Sequence, residues 1–301
     1  MQKMRPRSKE SESRASESKV SKNKASRRNK TNRGFGVLFV FIFLLGASIL
    51  AYPTISFWLA KRNQTVAHQT YERSVASLSG EEKERLWEEA AHYNERLVSS
   101  VIKDPFANTK NIDPFDEYYQ TLDTGDGIMG YIHIPQIRVL LPIYHGVSDD
   151  VLEAGVGHIP ASALPVGGEG THAVLTGHTG LRHAEIFNDL VELRQGDIFY
   201  LEILDINLAY EISAIEVVLP DDVSSLQRGA GEDKVTLVTC TPYGVNSHRL
   251  LVTGERIPYA KETKQVESKV TFPYWIVIVV ILLLVLILGI GRGVRTHAKK
   301  V

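Results

Sequence analysis

Residues 234–257 read KVTLVTCTPYGVNSHRLLVTGERI. Two runs rich in Val, Thr and Leu, 234–240 and 248–257, flank the turn-forming segment Thr241-Pro242-Tyr243-Gly244. Branched side chains on both sides of a Pro/Gly turn predict two β-strands joined by a return loop. Cys240, the one cysteine in 301 residues, ends the first run. Arg249 lies at the start of the second, nine residues later, and a strand pair of that length brings its guanidinium beside the thiol.

Working outward, the same texture recurs in GYIHIP, RVLLPIY, HAVLTGH, DIFYLEIL and LAYEISAIEVVLP, from about residue 128 onward. Short β-type runs divided by Gly and Pro predict an all-β barrel or sandwich. One or two helical turns interrupt it near Ala184–Leu193. Upstream, residues 61–103 carry Leu86, Ala90, Tyr93 and Leu97 at spacings of three and four, which predicts a helix. Ser79 followed by Glu82 has the spacing of a capping box. Asp104-Pro105 predicts the helix stop, because proline disfavours helical geometry in the residue before it.

The net charge of −1 conceals an uneven distribution. Residues 1–33 hold twelve Lys/Arg against three acids, and 292–301 hold four Lys/Arg and no acid. The remaining 18 basic and 32 acidic residues lie within 61–291, a net of −14. Between tails and middle lie GVLFVFIFLLGASILAYPTISFWLA (36–60) and PYWIVIVVILLLVLILGI (273–290). Each supplies about 20 apolar residues, enough for a helix to cross a bilayer. Basic flanks on the outer side of both predict cytoplasmic termini and an external middle. Absence of a small-x-small cleavage site after the first span favours an uncleaved anchor over a signal peptide. The basic N-terminal tail has the composition of a disordered, solvated segment rather than a nucleic-acid arm.

A lone thiol outside the cytoplasm cannot close an intramolecular disulfide. On the residues alone Cys240 is a nucleophile, an inert buried thiol or an intermolecular bridge. A nucleophile needs a partner that favours the thiolate, a proton donor for the leaving group and a stabiliser for the oxyanion. His178 ends the run THAVLTGH at a strand-to-loop junction, as Cys240 does, whereas His68 and His92 are expected to be solvated on the helix. Arg249 supplies the cation, its alternative being a strand-edge salt bridge.

THAVLTGH, TLVTC and TPYGVNSHRLLVTGER together resemble the sortase motifs, and the similarity extends over about 90–258 through MGYIHIP, LPIYHG, GVGH and LPVGG. It is most similar to class C sortases, the pilin polymerases of Gram-positive bacteria. The resemblance implies a mainly β protein: an eight-stranded sortase β-barrel with an N-terminal helical region and a transmembrane helix at each end. It implies Cys240 as nucleophile, His178 as general acid/base and Arg249 as the oxyanion or substrate-orienting cation. The implied substrate is an LPxTG-like sorting signal and the acceptor a lysine amine on a pilin subunit, with no cofactor, metal or nucleic acid.

Class C enzymes carry an Asp-Pro-aromatic lid. Two segments fit, Asp104-Pro105-Phe106 and Asp113-Pro114-Phe115, and the first lies at the more family-like spacing from the helix. The resulting organisation is a basic cytoplasmic tail 1–33, a membrane helix 34–60, a helical region with lid 61–127, a catalytic barrel 128–258, a stalk 259–271, a membrane helix 272–291 and a cytoplasmic tail 292–301. Two other readings are a sortase anchoring proteins to peptidoglycan and a metal-binding surface protein using His158, His172, His178 and His183. The last lacks tight ligand spacing.

Overall fold

The computed structural model describes residues 9–97, 106, 117–125, 127–180, 186–227, 231–260, 274, 278 and 279. By contact the chain falls into two units, Met1–Ile55 with Pro273–Val301, and Ser56–Phe272. The second holds the barrel.

Helix α1 runs Lys9–Ser77 with Pro53 inside it, and takes in the basic stretch that composition leaves without fixed structure. Leu38, Phe41, Ile42, Leu45, Ile49 and Leu50 on it are exposed. Among the described residues, no helix is long and apolar enough to cross a membrane. Most of the second expected span, 272–291, lies outside the described residues.

At the other end of α1, Tyr71 and Val75 are buried. The Tyr71 hydroxyl accepts from Leu204 N at 2.8 Å. Helix α2, Gly80–Arg96, begins at the expected capping box, with Glu82 N donating to Ser79 Oγ at 3.2 Å and Ser79 N to Glu82 Oε2 at 2.8 Å. It buries Leu86, Ala90 and Asn94, and ends at Arg96 with Leu97 extended, so the helical stretch stops short of 103. Asn94 explains the face: its amide donates to Leu164 O at 3.0 Å and its Oδ1 accepts from Leu164 N at 2.7 Å. A buried amide that satisfies both backbone groups of one residue fastens the helix to the barrel. After α2, the short helix α3 (Glu117–Gln120) is tied back to it by an Arg96–Glu117 ion pair.

Eight strands close into a barrel: β1 Ile128–Ile134, β2 Val139–His145, β3 Val156–His158, β4 Thr171–Thr176, β5 Ile198–Ile203, β6 Ile206–Val218, β7 Asp233–Thr241 and β8 His248–Ile257. Their order around the barrel is β1-β2-β3-β4-β7-β8-β6-β5, with β5 pairing back to β1. The β2–β3 and β4–β7 pairs are parallel and the rest antiparallel. A six-residue helix α4, Asp149–Ala154, leads into β3, and a single 3-10 turn, Asn188–Glu192, fills the helical interruption expected before β5.

Side chains alternate across a strand, so each strand feeds two layers. Ala173 and Leu175 of β4, Val235 and Leu237 of β7, and Leu250 and Val252 of β8 enter the main core. Their neighbours Val174, Val238 and Leu251 point the other way and, with Ile159 and Leu226, form a second, smaller apolar cluster. Residues 178, 240 and 249 continue that second series.

Candidate active site

Strand pairing places the three expected residues side by side. Cys240 and Arg249 are direct partners in the antiparallel β7–β8 ladder. Directly opposed side chains share a face, with Cβ atoms about 4.5–5.5 Å apart. On the opposite flank, β4 and β7 pair in parallel up to Thr176 and Val238. Gly177 N donates to Val238 O at 3.1 Å and Thr239 Oγ1 to Gly177 O at 2.7 Å, which carries the pairing one residue further. His178 therefore stands level with Cys240, on its other side from Arg249. The smaller apolar cluster continues the same face, and Phe106 packs against it.

Phe106 joins the two polar groups. Its ring centroid lies 5.5 Å from that of His178. Arg249 Cζ lies 4.9 Å from the Phe106 centroid, within cation–π range. Of the other lid candidates, Asp104, Pro105, Asp113, Pro114 and Phe115 lie outside the described residues.

Each member is held by its backbone surroundings. Arg249 Nη1 donates to the carbonyls of Asn246 and His248, both at 3.2 Å. The first of those carbonyls belongs to the turn after Cys240, where Asn246 adopts φ 59° and its N–H donates to Pro242 O at 2.9 Å, and the second opens β8. His178 O accepts from Phe187 N at 3.0 Å. Asn188 Oδ1 accepts from Gly180 N at 2.8 Å and fixes the loop beyond His178. Phe187, Asn188 and Asn246 escaped sequence reasoning. They act through local backbone geometry, which leaves no spacing signal.

Electrostatics favour a neutral His178. Burial lowers its pKa from 6.5, and the nearby carboxylates Asp149 and Glu153 of α4 offset only part of that. Cys240 and Arg249 are both buried. An amide carbonyl set over this row meets a sulfur, a proton carrier and a cation in a largely dry cleft, the set that acyl transfer requires.

Residues 132–257 match the family model for the sortase domain. Sortase C-1 from Actinomyces oris is 48% identical over 59% of this chain and 99% of that structure, with a TM-score of 0.57. The chain belongs to the sortase family, in class C. A Streptococcus pneumoniae sortase C is 43% identical, covering 64% of this chain and 96% of that one, with a TM-score of 0.59. The curated Bacillus anthracis sortase A is 24% identical over 75% of this chain and 95% of its own length. Sortase membership makes the chain a cysteine transpeptidase.

The histidines considered for a metal serve the sortase barrel instead. His158 is fully buried: its Nε2–H donates to Ala163 O at 2.7 Å, and its Nδ1 takes the Tyr118 hydroxyl at 2.9 Å. His172 Nδ1–H donates to Gln227 O at 3.0 Å, while Nε2 accepts from Thr236 Oγ1 at 2.7 Å. Rings with both nitrogens engaged are not poised to ligate. His183 lies outside the described residues.

Proposed function

We propose that this sortase polymerises pilin subunits through a thioester on Cys240. In a cysteine transpeptidase whose sequence holds one cysteine, Cys240 is the residue able to carry the acyl group. The observation that supports the whole reading is the row His178–Cys240–Arg249 beneath Phe106.

Cys240 Sγ attacks the Thr carbonyl carbon of an LPxTG-like sorting signal as its thiol proton passes to the neutral His178. Arg249 faces the oxyanion that develops and lowers its energy in the water-poor cleft. The tetrahedral intermediate expels the glycine amine, which takes its proton from His178. Carbon and sulfur are now joined as a thioester, and the energy of the broken amide is retained without a nucleotide. A lysine ε-amine of a second subunit attacks the same carbon, and His178 takes its surplus proton and hands it to the departing sulfur, which leaves as the thiol. The product is an isopeptide bond and free enzyme. Phe106 over the cleft limits water, the competing nucleophile, and biases the outcome toward the amine.

The pilin acceptor is supported by the class of the neighbours. The Streptococcus pneumoniae structure is described in terms of pilin substrate specificity, and another of group B Streptococcus is called pilus-related. The apolar stretches 34–60 and 272–291 with basic outer flanks support a two-span anchoring in membrane lipid, termini inside and barrel outside. Enzyme mixed with pilin subunits alone is expected to yield a high-mass ladder. A requirement for peptidoglycan precursor would assign the chain to cell-wall anchoring instead.

A further inference from the structure

Away from the cleft, α1 lies on the outer face of β1 and β5. The strands place Tyr131 opposite Glu202 and His133 opposite Tyr200. Residues 131 and 133 are two apart, so Tyr131, Glu202, His133 and Tyr200 share one face. His68 of α1 meets that face edge-on against the Tyr131 ring, at a centroid distance of 4.5 Å. His68 is therefore not the solvated helix residue that its position suggests; its side chain is only 15% exposed.

Its surroundings are chemically unusual. Glu72 follows at i+4 on the same helix face, with Oε2 3.9 Å from His68 Nδ1, and Glu202 Oε2 lies 3.6 Å from His68 Nε2. Both separations are those of ion pairs, longer than a hydrogen bond. Nε2 is buried and makes no hydrogen bond. One donor atom from each of His68, Glu72 and Glu202 lies within 4.8 Å of the other two. The ring gives one nitrogen to a cation, and Nε2 is the one placed for it: ligands about 2.1 Å from a tetrahedral cation stand about 3.4 Å apart, close to its 3.6 Å from Glu202 Oε2. His133, half-buried and with its pKa lowered by that burial, sits on the same face one pair from Glu202.

We propose that His68, Glu72 and Glu202 form a binding site for a zinc-like divalent cation that staples α1 to the β1–β5 edge. The mixed imidazole and carboxylate donors suit zinc rather than magnesium or calcium, which prefer oxygen alone. The site is separate from the transfer chemistry and joins the helix leaving the apolar N-terminal stretch to the strand pair that closes the barrel.

The test uses the full-length chain carrying Cys240→Ala, so that the thiol cannot itself take metal, stripped with chelator and titrated with zinc chloride alone. One zinc per chain with a raised thermal midpoint is expected, and no response to magnesium. Glu202→Gln and His68→Ala should each weaken binding at least about tenfold, the size that even an outer hydrogen-bond partner of a ligand carries. Glu72→Gln changes an exposed side chain, so it leaves folding intact and should weaken binding severalfold. No zinc-dependent shift, or equal affinity in Glu72→Gln and Glu202→Gln as in the parent, would overturn the site and leave a plain histidine–carboxylate pairing.

Discussion

The guanidinium of Arg249 lies over the ring of Phe106, with Cζ 4.9 Å from the ring centroid, while the other end of that ring approaches His178. One apolar side chain thus bridges the two polar groups that flank Cys240. In the proposed mechanism that ring covers the cleft through groups that substrate also needs, so closure and engagement of substrate would compete.

Removing the ring separates these effects. A cation–π contact worth about 0.5–2 kcal/mol corresponds to a change of about 2- to 30-fold in the closed-to-open ratio. In Phe106→Ala, hydrolysis of a sorting-signal peptide is expected to rise within that range while isopeptide yield per turnover falls. A fluorogenic peptide assay run with and without an acceptor amine measures both. Unchanged hydrolysis, with a rise in Phe115→Ala, would transfer the role to the second Asp-Pro-Phe segment.

The pH behaviour of His178 follows from its burial. Its folded pKa is depressed, so the ring stays neutral below pH 6.5 and charges only as pH falls through the lowered value. An NMR titration of the His178 ring should give a midpoint below 6.5. Asp149 and Glu153 favour the charged ring, so Asp149→Asn should move the midpoint lower still. A midpoint above 6.5 would indicate a charged partner at the cleft and an ion-paired resting thiol.

Gly177 tests how His178 is placed. A Cβ there would stand 2.8 Å from Ile186 Cγ2 and 2.8 Å from Phe187 Cδ2. Phe187 N–H holds the His178 carbonyl, so the displaced ring drags the imidazole's support. Gly177→Ala is expected to cost about 1–3 kcal/mol in stability and to lower transpeptidation with all three reactive groups retained. Urea unfolding and a peptide transfer assay check the two effects. Parent-like activity would show that the imidazole finds its place without this contact.

Much of this was legible in the sequence. Seven strands coincide with the β-type runs, because Val, Ile and Thr alternate there between two buried layers. β3 is the exception. Val156–His158 is too short for periodicity to register, and only the family resemblance required an eighth strand. Cys240 and Arg249 were placed by the length of the intervening loop. The flank occupied by His178 needed the parallel β4–β7 pairing, a long-range fact that no local pattern carries. The helix carrying His68 was legible but its packing on β1 and β5 was not: nothing in the surroundings of His68 in sequence indicates that it packs on Tyr131.

Acid should loosen the barrel through His158. Burial drives its pKa down to about 3, against 6.5 in the unfolded chain. Between those values the unfolded state binds the extra proton, so stability is full above pH 6.5 and falls as pH drops, by about 1.4 kcal/mol per pH unit for this residue. Buried His172 adds in the same direction. Urea midpoints between pH 7 and pH 4 should decline, with a shallower slope in His158→Gln. An equal slope in that variant would place the acid sensitivity elsewhere.

The most direct measurement is mass spectrometry of the enzyme trapped with a sorting-signal peptide and no amine acceptor. The mass of the peptide's N-terminal fragment is expected on the tryptic segment containing Cys240, and hydroxylamine should release it. An acyl group on any other residue, or subunit joining by Cys240→Ala at the parent rate, would contradict the account.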